Sequence, residues 1–164
     1  MSKLGSAWVL LFFVLSFSVA QAQLPNCQST DGSILPVDDA QVLKLKISTP
    51  NQFLTRAHVK GLIANVFPDH SGHKHIEVKI GNGPNDTIEV VYNESFGALP
   101  ALASGMSIEA CGDYITANAA TSQYPASADG AILHWVHRST GAHLGGFVAI
   151  DNSVFGQGQG NGGN

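Results

Sequence analysis

Three of the chain's seven histidines, His134, His137 and His143, lie between Ile132 and His143, together with Trp135. Two more, His73 and His75, flank Lys74. Neutral imidazoles are common ligands for zinc and copper. A bound divalent ion with an open position could activate water for hydrolysis. The metal set offered here is His73, His134, His137 and His143, with Glu77 or Asp113 as the base of a metal-dependent hydrolase. The same residues also suit a binding surface. Trp135 and Tyr92 would stack on a small polar ligand, peptide or oligosaccharide, while His73, His75, His134, His137, His143 and Asn93 hydrogen-bond to it. A third reading has no chemistry in it: partly exposed strand histidines, with Trp135 as core. Spacing alone does not choose among these readings, because the fold decides which imidazoles meet.

Other catalytic signatures are missing from the sequence. There is no HExxH helix, no CxxC pair and no Asp-rich loop. No Ser-His-Asp order is visible. The glycine-rich loops sit at hairpins and lack the strand–loop–helix frame that cradles phosphate. Glu109 and Asp113 alternate with Cys111, so they share a strand face, either as an acid–base pair or as a solvated surface.

Composition narrows the classes. The 164 residues suffice for one modest domain, and 44% are hydrophobic, a globular share. Only 12% are charged and the net charge is -4, with no basic run, which argues against nucleic acid as a partner. The first residues read as a secretory signal: Lys3, an apolar stretch from Ala7 to Val19, then a small-x-small site at Ala20-Gln21-Ala22. Cleavage there would start the mature chain at Gln23 and leave no membrane span, giving a secreted or periplasmic protein. Export permits a disulfide. Cys27 and Cys111 are the only two cysteines, and sequence gives no distance between them, so pairing stays open.

The histidines must be placed by strands. "VDDAQVLKLKIS" reads as a short helix starting at Asp38 or Asp39 and closed by Pro50. Strand-like runs follow: "AHVKGLIANVF", "HKHIEVKI", "TIEVVY", "MSIEACGDYI" and "AILHWVHR". Gly61 suits a bulge or sharp bend in the first. In the second, Ile76, Val78 and Ile80 face one way, and His75, Glu77 and Lys79 the other. In the fifth, His134 faces one side while Trp135 and His137 face the other. A short last strand fits "GGFVAI". Between strands three and four, "NESFGALPALASG" is a connector with one helical turn. The class is mainly β: a small five-stranded OB-like Greek-key barrel with a short N-terminal helix, or alternatively a β-sandwich. The predicted layout is a signal peptide at 1–22, a lead-in with the helix at 23–52, the barrel at 53–151 and a disordered Gly-rich tail at 152–164.

"DHSGHKHIEVKI", "YNES", "GMSIEACGDYI" and "GAILHWVHRSTGAHLGGFV" resemble, in that order, an exported bacterial family catalogued as domain of unknown function 3465. The resemblance covers roughly residues 55–150, and His-Trp-x-His is its most specific part. The positions matching the family pattern are His73, Asn93, Gly112, Tyr114, His134, Trp135, His137, His143 and Gly146. Arg138 stands where the family has a second adjacent His, Ser139-Thr140 replace Asp-Pro, and Phe147 replaces Trp. The loop 116–130 is longer than the pattern. The resemblance implies an exported OB-like domain whose histidine cluster serves a site. It implies no particular reaction.

Overall fold

The computed structural model describes residues 23–158, so the segment read as a signal peptide and residues 159–164 lie outside the described residues. The helix α1, Asp39–Ser48, forms where the sequence places it. The Asp38 carboxylate caps it by accepting the Gln41 N–H at 2.9 Å. Val42 is buried and Leu43 and Leu45 pack on the barrel core, which fixes the helix against it.

Seven strands follow: β1 Leu54–His70, β2 His73–Lys79, β3 Thr87–Asn93, β4 Ser107–Thr116, β5 Ala131–His134, β6 Phe147–Ile150 and β7 Ser153–Phe155. Strand β1 pairs antiparallel with both β2 and β4, while β5 pairs parallel with β3 and antiparallel with β4. The ring β1-β2-β3-β5-β4-β1 is therefore closed, the order of an OB-like barrel. A 3-10 turn, Glu94–Phe96, supplies the helical piece of the connector between β3 and β4.

Closure depends on β1 serving two neighbours. Its first half, Leu54–Leu62, lies on β4, and from Leu62 onward it lies on β2. The hand-over falls at Gly61. A Cβ there would sit 2.0 Å from the Lys79 carbonyl oxygen, so only glycine lets the two backbones approach. Inside the ring, Val59, Ile63, Ile76, Val78, Ile88, Val90, Tyr92, Ile108, Tyr114 and Leu133 form the core. The alternation read from β2 holds, with Ile76, Val78 and Ile80 buried.

The hairpin β6–β7 extends the sheet beyond the ring, with β6 on β4 at Ile108–Cys111. Cys27 and Cys111 form a disulfide, closing the question their sequence left open. It ties the lead-in to β4 within a second small cluster of Phe147 and Ala149 against Leu24, Leu35 and Val154. Among the described residues no helix is long and apolar enough to cross a membrane.

Three expectations are corrected. Strand β5 ends at His134 instead of running to Arg138, because Trp135 takes a left-handed conformation with φ 50°. The tail does not begin at residue 152, since Ser153–Phe155 pair with β6 and the Arg138 Nε donates to the Gly158 carbonyl. Tyr92 is no stacking surface. It is wholly buried in the barrel, and its hydroxyl donates to the Gly97 carbonyl at 2.7 Å.

The Gly61→Ala change should cost about 3 kcal/mol, because the backbone clash cannot relax without breaking one of two ladders. Chemical denaturation of wild type and variant measures it.

Candidate functional site

The outer face of β2, β3 and β5 carries the histidines. His73 and His75 point outward from β2, Asn93 is the register partner of His73 on β3, and His134 ends β5. The His73 and His134 rings meet edge to face, with centroids 5.5 Å apart. Trp135 stacks on His134 at 4.4 Å, and His143 stacks on Trp135 at 3.7 Å. The result is one continuous row, His73–His134–Trp135–His143.

The left-handed turn at Trp135 makes the row. In a continued strand Trp135 would face away from His134. Instead the chain turns off β4, packed against backbone that only glycine permits. A Cβ on Gly112 would lie 2.4 Å from the His134 carbonyl oxygen, and one on Gly146 2.6 Å from that of Trp135. The turn is held from the far side by the Gly146 N–H, which donates to the His137 carbonyl at 2.6 Å.

His143 is aimed by a buried chain of charge. Its Nδ1 lies 3.5 Å from Asp113 Oδ2, and Asp113 Oδ1 accepts Arg56 at 2.8 Å. Arg56 is 8% exposed and also donates to the carbonyls of Gln28 and Gly145. Glu109 likewise is paired, with His58 at 3.1 Å and Lys60 at 3.0 Å. The expectation of Glu109 and Asp113 as a solvated face or free acid–base pair is therefore corrected. Both carboxylates are held by cations, which removes Asp113 as a ready base.

The imidazole tautomers follow from their partners. Nδ1 of His73 meets the Ser71 carbonyl at 2.9 Å, and Nδ1 of His137 meets the Arg138 carbonyl at 2.8 Å. A carbonyl only accepts, so Nδ1 carries the proton in each. His75 Nδ1 meets Glu89 Oε1 at 2.5 Å, and Glu89 Oε2 accepts the Ser127 hydroxyl at 2.5 Å. With Nδ1 engaged in this way, Nε2 is the ring nitrogen left for another partner. Both faces of Trp135 are covered by imidazoles, so the row offers ring edges and nitrogen lone pairs more than open π-faces.

Burial and the neighbouring charges of His73, His137, His143 and His75 lower His134 from 6.5 to about 4. Burial also lowers His137. His134 is thus neutral near pH 7.

The structure does not gather every expected residue. His137 is buried and stacks on Phe96 at 3.7 Å, so its ring is not part of the row's stack. Trp135 stands between His134 and His143. Asn93 spends its side-chain oxygen on the Ser95 N–H, capping the 3-10 turn. Among the described residues no three His, Cys, Asp or Glu side chains come together as an ion-holding group. The set His73, His134, His137 and His143 therefore does not form a single metal cage in this conformation. Sequence reasoning did not assign Arg56, Phe96, Glu89 and Ser127 to the site. Strand alternation puts Glu89 on the His75 face, but nothing local to Arg56, Phe96 or Ser127 marks them. No known protein family matches the chain, and no curated protein does.

Replacing Asp113 by Ala should cost about 3 kcal/mol, because Arg56 is left buried without its counter-charge. It should also release His143, seen as loss of contacts between the His143 and Trp135 rings by NMR. His134 sets a second expectation. Its folded pKa is below the unfolded value, so stability present above 6.5 is lost as pH falls towards about 4. The loss attributable to it is about 2 kcal/mol after allowance for partial exposure. Denaturation across this range should show that loss in wild type and not in His134→Asn.

Proposed function

We propose that this chain is an exported OB-like domain that binds a small polar ligand, peptide or oligosaccharide on the outer face of β2, β3 and β5. One observation carries the reading: four rings from three separated segments gather into one row, and His73 in it, with Nδ1 tied to the Ser71 carbonyl, presents Nε2 to a ligand. Ligands rich in hydroxyl or amide donors suit such edges. Export is part of the proposal. It is supported by the leader's Lys3, apolar stretch and Ala20-Gln21-Ala22 site, and by a disulfide that an oxidising compartment would preserve. Membership of the domain of unknown function 3465 family is proposed on the His-Trp-x-His segment and its neighbours.

A metal-dependent hydrolase is the second reading, favoured by one feature. Imidazoles whose Nδ1 is tied to a carbonyl or carboxylate are held as metal-binding histidines are held. It requires a rearrangement that brings a third ligand to the His73–His134 pair.

A chain beginning at Gln23 has Trp135 as its single tryptophan, so its fluorescence reports the row directly. Glycan and peptide arrays identify the class of ligand, and fluorescence titration with the hits measures affinity. The expected outcome is saturable binding in one class, weakened about tenfold or more by His134→Ala with His143→Ala (about 1.4 kcal/mol or more). Array-wide silence, or binding indifferent to both changes, contradicts the proposal. Stoichiometric zinc uptake lost in His73→Ala would instead favour the hydrolase.

A further inference from the structure

Below the histidine row, the same face holds a carboxyl pair that the binding surface does not use. Glu77 on β2 stands directly opposite Glu89 on β3. Two ionised carboxylates in that register repel. Glu89 is satisfied by His75 and Ser127. Glu77 lies close enough to Asp129 to feel its charge.

Asp129 is only 6% exposed. Its Oδ1 accepts the Thr87 hydroxyl at 2.5 Å, and its own N–H donates to Ser127 Oγ at 3.2 Å. Its Oδ2 is buried and has no hydrogen-bond partner among the described residues. A desolvated carboxylate oxygen left in this way is costly. Lys46 does not satisfy it: its Nζ donates to the Asn85 and Thr87 carbonyls at 2.7 and 2.8 Å and reaches Asp129 through charge alone. The Glu77 carboxyl is a neighbour that could donate to it, and it can do so only when protonated.

We infer that a protonated Glu77 donates to the orphaned Asp129 Oδ2, and that this hydrogen bond latches the segment 117–130 onto the outer strands beside the histidine row. The latch explains a feature of β3 that alternation does not. Thr87 and Glu89 point out of the barrel and yet are buried, at 7% and 8% exposure, because residues 127–129 lie over them. It also reaches the histidine-bearing face, since Ser127 holds Glu89 and Glu89 holds His75.

The titratable groups around the pair are His75 and Lys79 from β2, Glu89 from β3 and Lys46 from α1, with Asp86 of the β2–β3 loop acting on Lys46. Strand β5 presents Ile132 to this face, the register partner of Glu89. Burial raises the Glu77 carboxyl, Asp129 raises it further, and Lys79 and Lys46 oppose. A carboxyl raised in the folded state stabilises below the ordinary glutamate range, and that contribution is lost as pH rises through the raised value. Loss of the proton sets two carboxylates against each other. The segment 117–130 then lifts, and Ser127 lets go of Glu89.

Carbon-detected NMR of the Glu77 carboxyl, with amide-exchange protection at residues 126–130 from about pH 4 to 9, tests the latch in wild type, Glu77→Gln and Asp129→Asn. The wild-type Glu77 should titrate above the ordinary range, and protection should fall about tenfold as it does so. Glu77→Gln donates an amide hydrogen to the same oxygen without titrating, so its protection should stay level. Asp129→Asn removes the repulsion and should return Glu77 towards its ordinary range. Glu77 titrating at or below that range overturns the inference, as does an equal loss of protection in Glu77→Gln. Calcium that restores wild-type protection at high pH would also overturn it, assigning the orphaned oxygen to a cation.

Discussion

The close approach of three backbones around Trp135 is the constraint on which this surface rests. Strand β4 has one long edge to share between β5 and β6, and the chain must leave β5 before β6 begins. It does so at Trp135, in a left-handed conformation that a bulky residue adopts only when its surroundings compel it. Gly112 beneath and Gly146 beside supply the room. The strain is compensated by packing: the indole is sandwiched between His134 and His143. A turn that looks like a defect in the strand is what brings residues from three segments onto one face.

Electrostatics then stiffen what the turn assembles. With 12% of its residues charged, the protein uses several ionic groups inside the structure, not on its surface. Arg56 joins the lead-in, β4 and the loop before β6 through Gln28, Asp113 and Gly145. The disulfide from Cys27 enters the same region, with Arg56 donating to Cys111 Sγ at 3.1 Å. Such buried pairs add less stability than their number suggests, because desolvation offsets much of the attraction. Their effect here is geometric: Asp113 stays where it can hold His143. On the far side of the row, Glu89 does the same for His75 through Ser127.

The barrel was largely legible in the sequence, and the site only partly. Alternation in His73–Ile80 and the bend at Gly61 are local signals, fixed by the two-residue period of a strand and by the absence of a Cβ. The helix at Asp39 is likewise announced by its acidic cap. Residues 131–138 misled, because a run that alternates apolar and polar residues says nothing about a glycine arriving from another strand to permit a turn. Tyr92 misled for a related reason. An aromatic at the end of a strand can face either way, and only ring closure decides. The carboxylates of β4 were legible as neighbours, but not their partners, since Arg56 and His58 come from more than fifty residues earlier. The histidine patch was visible as composition, while its order, with Trp135 between His134 and His143, belongs to the tertiary structure alone.

The most direct measurement is a set of proton–proton Overhauser contacts among the four rings near pH 7, in the chain beginning at Gln23. His73 should contact His134, His134 should contact one face of the Trp135 indole and His143 the other, with ring-current shifts on both imidazoles. A His143 ring at solvent-exposed shifts with no indole contact, or an indole contacting barrel-core methyls in place of His134, would contradict it.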